Sequence, residues 1–435
     1  MTDRLVRRAM ASLFALCLAH AAPCLARVHA PPQLTAGTGM ADIDPAPGLL
    51  PVHNNPGDPY LATIHDSLMA RALVIDQGRE RVILVVADLI VLPDDVYDRI
   101  VARVAETYHL PRDHVWLTAT HCHTVPWSMA GGYESTVSDG VVAAVAQAAG
   151  REEPVTAGAG DGKAFININR DELDNGKYIL GQNPDGPSDK TVRVAALFRK
   201  DGTPLAILPN YAVHAVTLHS SFTAGDGNGF ISADIPGVTD RFVDAHYGTA
   251  MTLWTSGAAA DQNPVLMSFY DEPGADGGHA ATDMKTAGWN VTERLGQNLA
   301  REIIRVTDAI RPKPVTARLR AADTLVSCPA RTDPKALKRL RIAYIGLGPI
   351  DLVAVSGEVN TAIDRHLRRA NPGRSPLLFT LTNGYGGYLP DDASYRRGQN
   401  FRAQTTFEVQ KTFFAPGCVE GAIVKAATRL MTKGR

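Results

Sequence analysis

Apolar and polar positions along this chain switch repeatedly between strand-like and helix-like spacing. Arg81-Val-Ile-Leu-Val-Val-Ala87 is an unbroken apolar run of strand length, and the segment Asp94–Tyr108 that follows spaces its apolar residues at helical intervals. A second strand pattern, His114-Val-Trp-Leu-Thr-Ala-Thr120, precedes a predicted helix over Val137–Ala149. Thr191–Phe198 and Pro204–His214 flank Asp201-Gly202, the signature of a hairpin. Met251–Thr255 reads as a short strand and Asp283–Ile310 as one long helix with a Trp/Val/Leu/Ile face. Ile342–Ile345 and Ile350–Ser356 flank Gly346-Leu-Gly-Pro349, a second hairpin; a helix ending near Arg369, a strand over Leu377–Thr382 and a helix over Glu420–Met431 complete the pattern. Hairpins and crossovers together predict an α/β fold with mixed β-sheets flanked by helices. No repeat and no low-complexity linker divides residues 31–435, so a single large catalytic domain with two packed sheets is expected.

The N-terminus changes that picture only by removing a piece of it. A basic start, Met1 to Arg8, a short apolar stretch, Ala9–Ala22, and small residues near Ala22 or Ala26 read as a secretory signal peptide over roughly residues 1–30. That stretch is too short to span a bilayer, and no later one is long enough, so no transmembrane segment is expected. The protein is then exported, to the periplasm or outside the cell. Net charge is −1 with no basic stripe, which argues against nucleic acid as a partner. An oxidising compartment permits a Cys328–Cys418 disulfide, whereas Cys122 reads as a buried thiol. Oligomeric state has no signature here.

Candidate chemistry gathers where strands stop. His121-Cys122-His123 ends the second strand pattern, and alternate strand positions share a face, so both imidazoles should emerge together. Asn210-Tyr-Ala-Val-His214, Ser356-Gly-Glu358 and Asn383-Gly-Tyr-Gly-Gly-Tyr388 have the same form. Strand ends are where α/β proteins collect ligands. Imidazole and carboxylate donors suit zinc, and His121, His214 and Glu358 supply that set. Asp261, after a small-residue turn, would fix a histidine tautomer from behind or simply cap the turn; Asp234 is ambiguous in the same way.

These motifs resemble those of a known family. Thr118-Ala-Thr-His-Cys-His-Thr-Val-Pro126 is similar to the Ala-Thr-His-Thr-His-Ser-Gly-Pro signature of the neutral/alkaline, non-lysosomal ceramidases, zinc amidohydrolases that split ceramide into sphingosine and a fatty acid. Gly39-Met-Ala-Asp-Ile-Asp44, Ile168-Asn-Arg170, Asn210–His214, Ser232-Ala-Asp-Ile-Pro-Gly237, Gly357-Glu358 and Asn383-x-Tyr-x-x-Tyr388 resemble further family segments in the same order. The resemblance implies zinc ligands at His121, His214, Glu358 and Tyr388. It also implies an assisting histidine at His123 and a substrate- or product-contacting arginine at Arg170. The residues alone do not separate Tyr388 from Tyr385.

Departures from the pattern fall on the substrate side. Ala260-Asp-Gln-Asn-Pro264 places Asn263 where some family members carry a serine, which makes a serine nucleophile unlike this chain. Trp127-Ser128 replaces Gly-Gly after Pro126, and a tyrosine is lost around Asn400-Phe401. The immunoglobulin-like C-terminal domain of the long ceramidases is absent from the pattern, which makes a short, bacterial-type member. The expected reaction is zinc-activated water attacking the amide carbonyl of ceramide or a related lipid amide. His123 then assists proton transfer, and Arg170 holds the acyl end or the carboxylate product by paired hydrogen bonds. Competing readings are an exported hydrolase of another acyl substrate, ester or lactone, a catalytically degenerate metal-binding protein on the same scaffold, and a (β/α)8 metallohydrolase, whose rhythm the two hairpins interrupt.

Overall fold

Each of the strand patterns above lies in a sheet, and three sheets, not two, share one interior. The computed structural model describes residues 32–53, 58–224, 227–273, 279–397 and 405–433; the predicted signal segment lies outside them. Pro32 to Arg435 form one compact unit.

The first sheet runs in the order Val115–Ala119, Glu80–Ala87, Met69–Gln77, Thr35–Asp42 and Glu153–Pro154. The second has Met251–Thr252, Pro204–Tyr211, Thr191–Phe198 and Thr156–Lys163, with Thr255–Ser256 also paired to Pro204–Tyr211. The third is ordered Arg320–Pro329, Leu337–Leu347, Ile350–Val355 and Leu377–Phe379.

The unbroken apolar runs follow from burial on both faces. In Glu80–Ala87, Val82, Leu84 and Val86 point into the shared interior, whereas Ile83, Val85 and Ala87 face helices Asp94–Tyr108 and Tyr133–Ala149. In Thr191–Phe198, Ala195 and Leu197 point inward, while Val192, Val194 and Ala196 meet helices Asp234–Tyr247 and Trp289–Ala309. In Leu337–Leu347, Ala343 and Ile345 point inward, while Ile342 and Tyr344 pack under helices Thr361–Ala370 and Val419–Thr432. Strand alternation therefore divides each sheet between a common core and a private helical layer.

Some boundaries differ from the pattern. The long helix begins at Trp289 instead of Asp283, because His279–Asp283 pairs with Phe269–Pro273 and a 3-10 turn, Lys285–Gly288, intervenes. The last strand stops at Phe379, since Leu381 and Asn383 adopt positive φ. Among the described residues, no helix is long and apolar enough to cross a membrane.

Cys328, on the edge strand of the third sheet, is disulfide-bonded to Cys418 at the start of the final helix, 90 residues away. Closing a loop of that length restricts the unfolded chain, so the paired variant C328S/C418S should lose about 2–4 kcal/mol of stability. Urea unfolding with and without reductant measures it; equal midpoints would show that the bridge contributes nothing.

Candidate metal centre

Each sheet delivers one candidate ligand, and all three come from the same end. Val115–Ala119 lies parallel to Glu80–Ala87, Pro204–Tyr211 parallel to Thr255–Ser256, and Ile350–Val355 parallel to Leu377–Phe379. Strand ends in such parallel pairs open a crevice. His121, His214 and Glu358 follow the first member or partner of these pairs within three residues. The loops approach closely here: a Cβ at Gly357 would sit 2.8 Å from the Gly387 carbonyl, so glycine is what lets Glu358 pair with Tyr388.

The two histidines of the His-x-His run converge, though not by strand alternation. The strand has ended at Ala119, and His121 takes a left-handed conformation, φ 66°, anchored by hydrogen bonds from its N–H to Leu89 O and from His123 N–H to Ala215 O. Such a conformation costs a β-carbon residue about 1–2 kcal/mol, which the surrounding hydrogen bonds must offset. Cys122 points away and is buried, its thiol against Ala233 O, as the sequence suggested.

Tautomers are set by backbone. His121 Nδ1 lies 2.7 Å from Ile90 O, and His214 Nδ1 lies 2.6 Å from Ala259 O. Each Nδ1 therefore carries the proton and each Nε2 a lone pair. Both Nε2 atoms face Glu358 Oε2, at 3.2 Å from His121 and 3.3 Å from His214. All three side chains are buried. Glu358 Oε2 has no hydrogen-bond donor, while Oε1 accepts from the Tyr385 hydroxyl at 2.9 Å. Three buried acceptors converging without a proton between them would repel one another, and a cation resolves the conflict. The donor set therefore fits a zinc ion.

Charge states agree with that assignment. Burial pulls the His214 imidazolium down to about 3, with the neighbouring Arg170 adding to the effect. Burial and then the surrounding imidazoles hold His123 well below its ordinary value.

His123 is also near: its Nε2 lies 3.4 Å from His121 Nε2, and the ligand atoms of His121, His123 and His214 all fall within 4.8 Å of one another. Geometry thus admits His123 either as a donor or as a neighbour. Edge-on to it is His219, ring centroids 5.1 Å apart, whose Nε2 is 3.6 Å from Asp58 Oδ2.

Arg170 is buried beside the pocket. Its Nη1 lies 3.3 Å from His214 Nε2, but Nε donates to Glu408 Oε1 at 2.9 Å and Nη2 is 2.9 Å from the same oxygen. Nε is committed and the Glu408 carboxylate covers the Nε/Nη2 edge, so a paired capture of a second carboxylate would have to use Nη1 and Nη2. Tyr388 is opposite Glu358 in strand register, with Arg170 over its ring at 5.5 Å. Burial and the Glu358 charge raise its hydroxyl pKa. Tyr385, not Tyr388, makes the hydrogen bond to Glu358.

Asp261 does not reach a histidine; of its two expected roles the geometry matches the turn carboxylate and not the direct tautomer-fixing one. Its carboxylate accepts from Thr361 N and Asn169 Nδ2, while the carbonyls of Ala259 and Gln262 on either side of it meet His214 Nδ1. The carboxylate shapes the turn, and the turn holds the tautomer. Asp234 likewise serves Thr217 and the N–H groups of Leu218 and Ile235. Asn263 lies in a short strand opposite Ile168, its amide nitrogen 3.8 Å from Met267 Sδ. Trp127 is 48% exposed, and Asn400-Phe401 lies outside the described residues.

Sequence reasoning missed Glu408, Asp171 and His219, and left Tyr385 level with Tyr388. Glu408 is 238 residues from its partner Arg170, in a short polar helix with no pattern to betray it. His219, five residues beyond His214, was the only one with a signal: a second histidine in the same loop.

No family model and no curated protein sequence matches the chain. Solved structures share its fold, among them the following two. A ceramidase complexed with C2 superposes with a TM-score of 0.72 at 16% identity, covering 92% of this chain and 75% of that one. Neutral ceramidase from Pseudomonas aeruginosa gives 0.69 at 16% identity, covering 92% and 74%.

Proposed function

We propose that this chain is a zinc-dependent amidohydrolase of the neutral ceramidase type, cleaving the N-acyl amide of ceramide or a related lipid amide. The observation that carries the reading is the convergence of His121 Nε2, His214 Nε2 and Glu358 Oε2, one from each sheet, around a point with no donor for Glu358 Oε2. The fold shared with the two ceramidases supports the substrate class.

His121, His214 and Glu358 would hold the ion, with Tyr388 the fourth donor. Zinc held there lowers the pKa of water to about 7 and polarises an acyl carbonyl. The protein's own contribution is proton traffic and orientation. His123, uncharged at neutral pH because it is buried among imidazoles, can take a proton from the attacking water and pass it to the departing nitrogen. The C–N bond breaks, the water oxygen stays with the acyl group as a carboxylate, and the nitrogen, having received both water protons, leaves as an ammonium. Arg170 Nη1 can donate to the acyl oxygen as negative charge develops on it. Asp261 acts on neither partner directly; it keeps the Ala259–Gln262 turn in place behind His214.

Export is part of the proposal, supported by the N-terminal basic–apolar segment and by the Cys328–Cys418 bridge. The residues from 31 onward make the catalytic domain.

The deciding experiment is elemental analysis of wild type and His121→Ala, alongside hydrolysis of a fluorogenic ceramide. Near-stoichiometric zinc and amide cleavage, both lost in the variant, are expected. Zinc without cleavage of any amide would move the function to an ester or lactone or to metal binding alone. A folded wild type that takes up no zinc would refute the ligand set.

A further inference from the structure

Arg170 is held from several sides. Glu408 Oε1 accepts from Nε at 2.9 Å and pairs electrostatically with Nη2, also 2.9 Å away. The rings of Tyr388 and Phe407 flank the guanidinium at 5.5 and 5.3 Å, and the two rings meet edge-on at 5.4 Å. Phe407 and Glu408 open one short helix, Phe407–Lys411, so a single element supplies the counter-charge and one of the aromatic walls. Glu408 is fully buried, and its Oε2 has no donor. The other acid beside it is Asp171, also buried, whose nearest cation is Arg397 Nη1 at 3.9 Å. Nη1 of Arg170 is turned to the pocket, 3.3 Å from His214 Nε2.

We infer that Glu408 is a positioning residue that clamps Arg170 and cancels its charge, so that the site accepts a neutral acyl group in preference to a carboxylate. The inference rests on the acyl-hydrolase reading above and adds a selectivity to it. A guanidinium with two free nitrogens grips a carboxylate in a fork. An arginine already paired to Glu408 has its Nε/Nη2 edge covered and offers no net charge. The acid formed by hydrolysis is then bound no better than the uncharged substrate, which favours its release.

The test measures equilibrium binding of hexanoate and of N-methylhexanamide by calorimetry on the full-length protein, with metal content matched between variants. Glu408→Gln keeps the side-chain shape and one acceptor for Arg170 but removes the counter-charge. Hexanoate should bind at least about tenfold more tightly than to wild type, with the amide within about twofold. The double variant R170Q/E408Q removes both charges and should return hexanoate to within about twofold of wild type; it also serves as the test if E408Q alone does not fold. Unchanged or weaker hexanoate binding in folded E408Q overturns the inference, as does a tenfold loss in the double variant. Wild type that binds amide while E408Q shows no gain for hexanoate defeats the inference alone. Wild type that binds neither ligand defeats the acyl-hydrolase reading and the inference together.

Discussion

Glu358→Gln should leave the protein folded, reduce its zinc from about one equivalent per chain to a small fraction, and slow amide cleavage by about a thousandfold or more. The expectation follows from the atoms involved. Glutamine keeps the volume and can still accept from Tyr385 through one oxygen, so the packing around the site survives. What disappears is the negative charge facing His121 and His214 Nε2 at 3.2 and 3.3 Å. In place of three convergent acceptors the pocket gains an N–H₂ group, which satisfies the two imidazole lone pairs and removes the need for a cation. A thousandfold slower reaction corresponds to about 4 kcal/mol of lost barrier reduction. Tyr385→Phe is the matched control: it deletes only the hydrogen bond to Glu358 Oε1 and should cost about 10–100-fold in metal affinity or activity. Elemental analysis, melting curves and fluorogenic-ceramide hydrolysis on the same preparations distinguish the cases. Full zinc retention in E358Q would mean that the ion, if bound, sits on the three histidines without the carboxylate.

That result would also locate how much of the site was readable in advance. His121, His214 and Glu358 were legible because each follows an apolar strand, and strand C-termini in parallel pairs have to open toward one crevice. The reason given for the first pair was incomplete, since a left-handed turn at His121 and not β alternation brings His123 alongside. Tyr388 against Tyr385 could not be decided from spacing, because the choice depends on the path of a loop with Gly384 and Gly387 at positive φ. Core layering was legible in kind but not in number. Runs such as Arg81–Ala87 announce burial on both faces, yet nothing in a run says whether its inner face meets one sheet or two. Contacts such as Arg170 with Glu408 leave no local trace at all: a charged residue in a short polar segment reads as surface until tertiary packing encloses it.

The same enclosed acid leads to the second large effect, on stability against pH. Asp171 and Glu408 are buried together, and neither oxygen of Asp171 has a hydrogen-bond donor. Burial, and then the Glu408 charge, push the Asp171 carboxyl up to about 9 from 3.8. The folded protein therefore keeps a proton there that the unfolded chain has already released. For a raised carboxyl the contribution is fully present below pH 3.8 and is lost as pH rises through about 9. One excess proton on the folded state gives a slope of about −1.4 kcal/mol per pH unit. Other buried acids act in the same direction but earlier: burial raises Asp88, Asp234 and Asp261 to about 6 and Asp364 to about 7. Asp240, which burial also holds well above the carboxylate range, adds to the slope, so the difference between wild type and an Asp171 variant is what isolates Asp171. Asp171→Asn replaces the shared proton with a permanent amide donor toward Glu408, so its stability relative to wild type should grow steadily from about pH 4 to about pH 9 and level off above that. Urea denaturation at pH 5, 7, 8 and 9 measures the difference. Parallel curves for the two proteins from pH 7 to 9 would mean that Asp171 is ionised in the folded state, balanced by Arg397 in place of a shared proton.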